Sequence, residues 1–269
     1  MRLVISYHHS PFMKTTSLPR VSVLVPAYNE EKYIHRTLSA LVTQDYPDYE
    51  IIVTDNASSD GTALVVQTFI NQQPVTGVQI TLIHESRKGT NYARESARKQ
   101  AGGQIIAQMD ADCVPASNWL RRGVTALIQN RQRVAVTGPY DYFDGGSRMR
   151  FFSLLSQRIF YPFVSDLVQV SGRGAILIGG NAFIHSEILE KAGGYNTAFT
   201  FYGDDIELGK QLSQFGHVAY IPGLVQPSSS RRYKANGFWE VNKKYQDSFW
   251  NLVWRKNILL TTAENSHPR

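Results

Sequence analysis

Apolar residues follow two alternating patterns along the first half of the chain. Short apolar runs, many of them β-branched, predict buried strands, and stretches with apolar residues three or four positions apart predict helices. Strands are predicted at residues 21–25, 49–53, 78–83, 105–109 and 133–137, and helices after residue 29, up to residue 70, at 90–100 and at 119–129. Strands that alternate with helices through short connections are typical of a parallel sheet with helices on both faces. We therefore predict an α/β fold.

The second half of the chain is less regular. Residues 149–164 are strongly apolar and aromatic, with arginines among them. This composition fits a helix packed on the sheet, and it also fits an amphipathic face that touches a membrane or a lipid-linked acceptor. Strands are predicted at 176–184, with a glycine interruption, and at 217–221, and helices at 186–192, 203–215 and 238–260. Residues 227–233 are predicted to form a flexible polar loop.

Two carboxylates follow the predicted strand at 105–109. Residues i and i+2 of an extended backbone point to the same side, so Asp110 and Asp112 can converge on one object. A hard cation between them relieves their repulsion, and Mg²⁺ or Mn²⁺ commonly uses one or two carboxylates together with substrate phosphates. The alternative is that the two aspartates only solvate a turn.

Other strand ends carry polar residues as well. Residues 26–30 follow the first strand and Asp55 ends the second. Because ligands of open α/β sheets collect at the carboxyl ends of the strands, we expect these residues and the Asp110–Asp112 pair to share one crevice. Asn29 is also predicted to cap the helix that follows it.

A second acidic group stands at the start of the helix predicted at 203–215. Asp204, Asp205 and Glu207 come directly after Gly203. Acidic residues are common in the first turn of a helix, where they interact favourably with its dipole. That rule accounts for Glu207 but leaves the adjacent pair of aspartates unexplained.

The bulk composition limits the possible partners. The 42% hydrophobic and 19% charged residues are ordinary for a globular protein, and the single cysteine excludes an internal disulfide and a Cys-rich zinc site. The net charge of +6 favours anionic partners such as nucleotides or phospholipid headgroups. No apolar run is long enough for a spanning helix, and residues 1–19 lack the apolar centre of a signal peptide, so we expect a cytoplasmic protein that is either soluble or peripheral on the inner face of the membrane.

Five stretches in order carry a resemblance to a known family. They are Val23-Leu-Val-Pro26-Ala-Tyr-Asn29-Glu30-Glu31, the stretch from Ile52 to Thr62 around Asp55, Gly89 to Ser96 around Arg94, the Asp110-Ala111-Asp112 triplet, and Gly180-Asn181-Ala with the later Gly203-Asp204-Asp205-Ile-Glu207-Leu208. They are similar to the motifs of family 2 glycosyltransferases of the GT-A fold. The resemblance covers residues 21–216 and implies a Rossmann-like, mixed, mainly parallel sheet.

The resemblance also implies roles on the donor side. The donor, a nucleotide diphosphate sugar, would be held by Pro26, Ala27, Tyr28, Glu30 and Asp55, with Asp55 accepting a hydrogen bond from the base. Arg94 would lie near the nucleotide or its phosphates. Asp110 and Ala111 would face the ribose or the metal, and Asp112, with Asp110, would ligate Mg²⁺ or Mn²⁺.

On the acceptor side, Asp205 would be the catalytic base and Asp204 its acidic neighbour. A displacement at the anomeric carbon needs a base for the acceptor hydroxyl and positive charge on the departing diphosphate, to which Arg231 and Arg232 could contribute. Such a single displacement inverts configuration. Processive members of the family carry a Gln-x-x-Arg-Trp motif, which the stretch from Gln226 to Tyr233 matches only loosely. We therefore expect transfer of one sugar to a glycan or lipid-linked acceptor.

Several alternatives remain open at this point. A nucleotidyltransferase would share the strand-end carboxylates and the metal, and an inactive relative would bind only the nucleotide or another anion. An acidic crevice argues against a nucleic-acid partner. We expect a poorly ordered lead-in at 1–19, a GT-A domain at 20–225, and a basic, aromatic segment at 226–269 that packs on the domain or on an anionic membrane surface.

Overall fold

The computed structural model describes residues 18–74, 77–198 and 203–237, together with positions 240, 241, 243 and 247. Its strands are β1 Val21–Ala27, β2 Tyr49–Asp55, β3 Gln79–His84, β4 Ile105–Met109, β5 Arg133–Thr137, β6 Tyr140–Tyr142, β7 Asn181–His185, β8 His217–Tyr220 and β9 Gln226–Ser228. Its helices are α1 Ile34–Leu41, α2 Thr62–Gln72, α3 Thr90–Arg98, α4 Trp119–Ile128, α5 Ser147–Val170, α6 Ser186–Lys191, α7 Asp204–Ser213 and α8 Arg231–Asn236.

Seven strands form one sheet in the order β3-β2-β1-β4-β7-β5-β8, and β6 pairs with β9 in a small second sheet. The pairs are parallel except for those of β7, which runs antiparallel to β4 and β5. The predicted α/β fold with a mixed, mainly parallel sheet is therefore confirmed. The carboxyl ends of β1, β2 and β4 lie side by side, as expected for a ligand site.

Both faces of the large sheet are covered by helices. Val21, Val23 and Val25 of β1 pack on one face with buried residues of α1, α2 and α4. Leu24 of the same strand packs on the other face with residues of α3, α6 and α7. Because alternate side chains of a strand point to opposite faces, one apolar run supplies both cores.

The antiparallel strand β7 is fixed by a contact between two aromatic rings. Trp119 of α4 lies 4.6 Å from Phe183, measured between ring centroids. The indole nitrogen of Trp119 also donates a hydrogen bond of 2.9 Å to the side-chain oxygen of Asn181. The Asn181 amide in turn donates to the carbonyl of Leu224 at 2.7 Å, so β7, α4 and the segment before β9 are held as one unit.

Three local predictions are wrong. The strand predicted at 176–184 exists only from Asn181, because Asn181 N–H donates to the carbonyl of Ile178 and closes a turn through the two glycines between them. Asn29 does not cap a helix. It has a φ of 54° and accepts a hydrogen bond of 2.8 Å from Ser59 N–H, and α1 begins only at Ile34.

The flexible loop predicted at 227–233 is instead ordered as strand β9 and the start of α8. Asp144 holds this segment, accepting hydrogen bonds from the Ser229 hydroxyl at 2.9 Å and from Ser230 N–H at 2.5 Å. Asp144 precedes Ser229 and Ser230 by 85 and 86 residues in the sequence, so the composition of the segment itself could not indicate these contacts.

Most of the helix predicted at 238–260 and most of the lead-in at 1–19 lie outside the described residues; the four described positions within that helix, 240, 241, 243 and 247, are helical. Within the described part, none of the helices combines the length and the apolar character required to cross a bilayer.

Candidate active site

The turn after β4 carries Asp110 and Asp112, and two contacts hold it in place. The hydroxyl of Thr37 in α1 donates to the carbonyl of Ala111 at 2.7 Å. Val114 N–H donates to the carbonyl of Pro227 in β9 at 2.9 Å. The turn is therefore held both by helix α1 and by strand β9, which precedes α8.

Arg231 lies beside Asp112. Its Nε is 3.0 Å from an Asp112 carboxylate oxygen, a terminal guanidinium nitrogen also contacts Glu30, and the guanidinium carbon is 4.6 Å from the centroid of the Tyr33 ring. The Asp112 side chain is only 13% exposed. Burial raises the pKa of Asp112 to about 7, with Arg231 opposing the rise and Glu30 adding to it. The charge of the exposed Arg232 also lowers this pKa.

Asp110 begins the same turn and has its own partners. One of its carboxylate oxygens accepts a hydrogen bond of 2.7 Å from the Tyr140 hydroxyl, and the other is 3.6 Å from Arg94. Burial raises the pKa of Tyr140 well above its usual value, and the nearby Asp110 charge raises it further. Tyr140 is therefore a neutral donor that orients Asp110.

Arg94 joins the two acidic pairs. This buried side chain extends from α3, and one guanidinium nitrogen lies 3.1 Å from both Asp204 and Asp205. Its other terminal nitrogen makes the contact with Asp110. The three carboxylates raise the pKa of Arg94 against the effect of burial, so the guanidinium stays charged.

Asp205 has a second support besides Arg94. Gly179 N–H donates to its other carboxylate oxygen at 3.0 Å. Burial raises the pKa of Asp205 to about 7, the neighbouring Asp204 charge adds to the rise, and Arg94 opposes it. A carboxylate with this pKa is suited to accept a proton near neutral pH.

Gly179 and Gly180 have no room for a side chain. A Cβ at Gly179 would lie 2.0 Å from an Asp205 carboxylate oxygen, and one at Gly180 would lie 2.1 Å from the Tyr140 hydroxyl and 2.3 Å from Asp110. The backbone just before β7 thus lies against both acidic pairs, with Gly179 beside Asp205 and Gly180 beside Asp110. This close approach explains why the predicted strand is interrupted here.

Asp55 forms the far end of the site on the β2 side. One carboxylate oxygen is 3.3 Å from His84 Nδ1, and the other is buried and accepts no hydrogen bond from the described residues. A buried acceptor of this kind is costly unless a ligand donor reaches it. Pro26 and Ala27 end the neighbouring strand β1, and Tyr28 and Glu30 follow in the adjoining loop.

The carboxylates near the β4 turn fit a hard divalent cation. Oxygens of Asp110 and Asp112 lie within 4.8 Å of each other and of the Cys113 sulfur, in the part of the chain that is described. Burial raises the pKa of Cys113 well above its usual value, so this thiol is not a ligand for Mg²⁺ or Mn²⁺. The two carboxylates alone have the oxygen chemistry that these ions prefer.

Direct contacts bring together seven of the sequence-predicted residues: Glu30, Arg94, Asp110, Asp112, Asp204, Asp205 and Arg231. Pro26, Ala27, Tyr28 and Asp55 lie at the ends of the neighbouring strands, and three further residues are ones that sequence reasoning missed. Tyr140, Gly179 and Asp144 were not singled out, although each contacts or supports a predicted site residue. Only the Gly179-Gly180 pair left a signal in the sequence, as the interruption of an apolar run.

Comparison with known proteins shows which sequences and structures this chain resembles. The family model described as "Glycosyl transferase family 2" matches residues 22–193. The chain is 28% identical over 249 residues to the probable glycosyltransferase YdaM of Bacillus subtilis, covering 89% of this chain and 54% of that one.

It is 29% identical over 158 residues to an Escherichia coli enzyme, the UDP-Glc:alpha-D-GlcNAc-diphosphoundecaprenol beta-1,3-glucosyltransferase WfgD, covering 59% of this chain and 58% of WfgD. Among solved structures, the mannosyltransferase PcManGT of Pyrobaculum calidifontis, in complex with GDP-Man and Mn²⁺, matches with a TM-score of 0.64 and 27% identity. That match covers 85% of this chain and 61% of PcManGT. The chain thus spans little more than half the length of these proteins.

Proposed function

This chain belongs to glycosyl transferase family 2, and we propose that it transfers one sugar from a nucleotide diphosphate sugar to an acceptor hydroxyl, with inversion and with a divalent metal ion. The observation that carries the proposal is the meeting of two acidic pairs around Arg94. Asp110 and Asp112 supply the donor and metal side, and Asp204 and Asp205 supply a base on the other side of the same guanidinium.

Donor binding would use the carboxyl ends of β1 and β2. The buried Asp55 oxygen without a described partner is placed to accept a hydrogen bond from a nucleotide base. Residues 26–30 lie at the end of the neighbouring strand β1 and would enclose the nucleoside. WfgD is named for UDP-Glc and the PcManGT structure holds GDP-Man, which makes UDP- and GDP-sugars the first donors to test.

Asp112 and Asp110 would hold Mg²⁺ or Mn²⁺ at the diphosphate. Such an ion, when bound, supplies Lewis-acid stabilisation of charge on the leaving nucleoside diphosphate. Arg231 already lies on Asp112 and would share that role, since a guanidinium forms strong, charge-assisted hydrogen bonds with phosphate oxygens. Arg232, the next residue of α8, would add positive charge from the solvent side.

Asp205 would accept the proton of the acceptor hydroxyl. Its pKa of about 7 allows it to be unprotonated at neutral pH and still basic enough to receive a proton. Gly179 N–H and Arg94 fix the carboxylate from two directions, so the base is positioned before substrate binds. Asp204 raises the basicity of Asp205 through its negative charge.

The class of acceptor is inferred from the similarity to WfgD and not from a contact within this chain. WfgD, by its name, acts on a sugar linked to diphosphoundecaprenol. We infer a glycan or lipid-linked hydroxyl acceptor, glycosylated once per binding event.

A donor titration tests the proposal. The full chain would be titrated calorimetrically with UDP-, GDP- and dTDP-sugars, first with Mn²⁺ and then with EDTA. We expect one donor class to bind tightly in Mn²⁺ and at least tenfold more weakly in EDTA. Failure of every donor, with the thermal unfolding transition intact, would overturn the proposal and favour an inactive anion-binding relative.

A further inference from the structure

Helix α5 exposes an unusual amount of apolar surface. Of the thirteen large hydrophobic side chains that are exposed in the described part of the chain, nine lie on this one helix. Phe152, Phe160 and Phe163 are 65%, 62% and 69% exposed. Isolated apolar residues on a surface are normal, but a contiguous patch of this kind marks an interaction surface.

Only a narrow stripe of α5 packs on the domain. Gln157 and Gln169 accept hydrogen bonds of 2.9 Å from the backbone N–H groups of Tyr140 and Val218, and Ser165 and Val168 are buried between them. The helix therefore lies along the edge strand β8, with Tyr161 and Tyr220 in ring contact at 6.0 Å. Packing on the sheet accounts for this stripe and leaves the aromatic face without a described partner.

The charges on α5 indicate the chemistry of what covers that face. The helix carries Arg148, Arg150 and Arg158 against a single acidic residue, Asp166. Arg150 is paired with Asp141 of β6, whereas Arg148 and Arg158 are exposed. A second copy docked face to face would bring like charges together in a dry interface, whereas an anionic headgroup layer would neutralise them.

We propose that the exposed face of α5 lies in the headgroup region of an anionic lipid bilayer. An amphipathic helix with Phe and Leu on one face and arginine at its borders is the type that binds parallel to a membrane surface. Its 24 residues span roughly 36 Å at the helical rise of 1.5 Å per residue, enough for a long contact line.

This orientation brings the bilayer close to the active site. Gln157 of α5 accepts the backbone hydrogen bond of Tyr140, and the Tyr140 hydroxyl donates to Asp110. The amino-terminal half of α5 therefore lies at the rim of the site. A lipid-linked acceptor would reach Asp205 without leaving the membrane surface; this last step rests on the proposed function, but the docking itself does not.

Vesicle flotation of the full chain tests the docking. We expect the protein to float with vesicles of phosphatidylcholine and phosphatidylglycerol, and far less with phosphatidylcholine alone. Replacing Phe152, Phe160 and Phe163 by serine should lower the partition coefficient at least tenfold, since each ring loses its burial in the interface. Arg148→Gln and Arg158→Gln should each lower binding to the anionic vesicles about fivefold.

The matched control replaces exposed apolar residues elsewhere. Leu64→Ser with Phe215→Ser removes side chains that are 71% and 43% exposed, in α2 and just after α7, and should leave flotation unchanged. Thermal unfolding of all variants checks that they fold. Because no sugar donor or acceptor is present, flotation can succeed or fail independently of transfer activity.

Three outcomes would overturn the proposal. Flotation of the triple serine variant at the wild-type level would place the membrane contact elsewhere in the chain. A wild-type dimer that the triple variant converts to a monomer, without flotation of either, would make a second copy the partner of this face. A wild-type monomer that does not float would show that the face is not a lipid contact.

Discussion

The two halves of the sheet deliver carboxylates to one site by different means. In the half built from β1 to β4, Asp55 ends its strand and Asp110 and Asp112 lie within three residues of the end of β4. In the half built from β5, β7 and β8, Asp204 and Asp205 begin helix α7, and Asp205 is held by Gly179 and by Arg94 of the first half.

The difference shows which parts of the site depend on distant contacts. A carboxylate at a strand end takes its position from the ladder beside it. The Asp204–Asp205 pair takes its position from groups on two other segments, Arg94 of α3 and Gly179 in the turn before β7. Changes at Asp204 and Asp205 should therefore alter catalysis with less effect on donor binding, whereas changes near Asp112 should alter both, and the four predictions below test that contrast.

The largest effect is expected when the two pairs are compared directly. Asp205→Asn removes the proposed base and should lower turnover by about 10²- to 10⁴-fold while donor binding in Mn²⁺ is retained. Asp112→Asn should weaken metal-dependent donor binding as well as turnover. Calorimetric titration and release of the nucleoside diphosphate measure the two quantities separately. Wild-type turnover in Asp205→Asn, or wild-type Mn²⁺-dependent binding in Asp112→Asn, would contradict the corresponding assignment.

Gly180→Ala tests the backbone that lies against both acidic pairs. The added Cβ would lie 2.3 Å from Asp110, so the carboxylate or the turn must move. A displacement of this size should cost about 10²-fold in turnover and about 1–3 kcal/mol in the free energy of unfolding. Gly223→Ala is the control, because its Cβ would meet its nearest neighbour, Arg122, at 3.5 Å. Equal turnover in the two variants would show that the close approach at Gly180 has no bearing on catalysis.

Arg231→Lys tests the support that the second half gives to the first. A lysine cannot reproduce the forked contact with Asp112 and Glu30 or the stacking on Tyr33. Loss of such a contact to a metal ligand should lower metal affinity or activity by about 10- to 100-fold. Arg121→Lys is the matched control, since Arg121 makes a forked ion pair with Asp45 at the surface. We expect the Arg121→Lys variant to keep wild-type activity. An equal loss of activity in both variants would contradict a specific role of Arg231.

The smallest effect concerns pH. Because the pKa of Asp205 is raised to about 7, kcat/KM at saturating metal should fall as the pH is lowered through 7 and the base becomes protonated. A bound metal keeps Asp112 unprotonated, so this limb reports Asp205. Asp204→Asn removes a charge that raises the pKa of Asp205, so the limb should move to lower pH. A pH–rate profile that does not move would contradict the coupling.

Much of the first half could be predicted from the sequence. The runs at 21–25, 49–53 and 105–109 became β1, β2 and β4, because a short β-branched run that is buried on both faces has little alternative to a central strand. The strand ends then place Asp55, Asp110 and Asp112 on one edge of the sheet by geometry alone.

The rest depended on contacts between distant residues. The segment at 227–233 was predicted to be flexible because serine and arginine are typical of loops, yet Asp144 orders it and so places Arg231 on Asp112. Arg94 was expected near the nucleotide, a role that stays a prediction, and its ion pairs with Asp204 and Asp205 have no local signature.

The sequence by itself determined the layered α/β fold, the family and the identity of the acidic residues, since periodicity and motif order are properties of neighbouring positions. Only the tertiary structure decided that Arg94 joins the two acidic pairs, that Gly179 and Gly180 lie against them, and that the aromatic face of α5 points away from the core. These are pairings across long sequence separations, and burial and charge take their values only when the chain is folded.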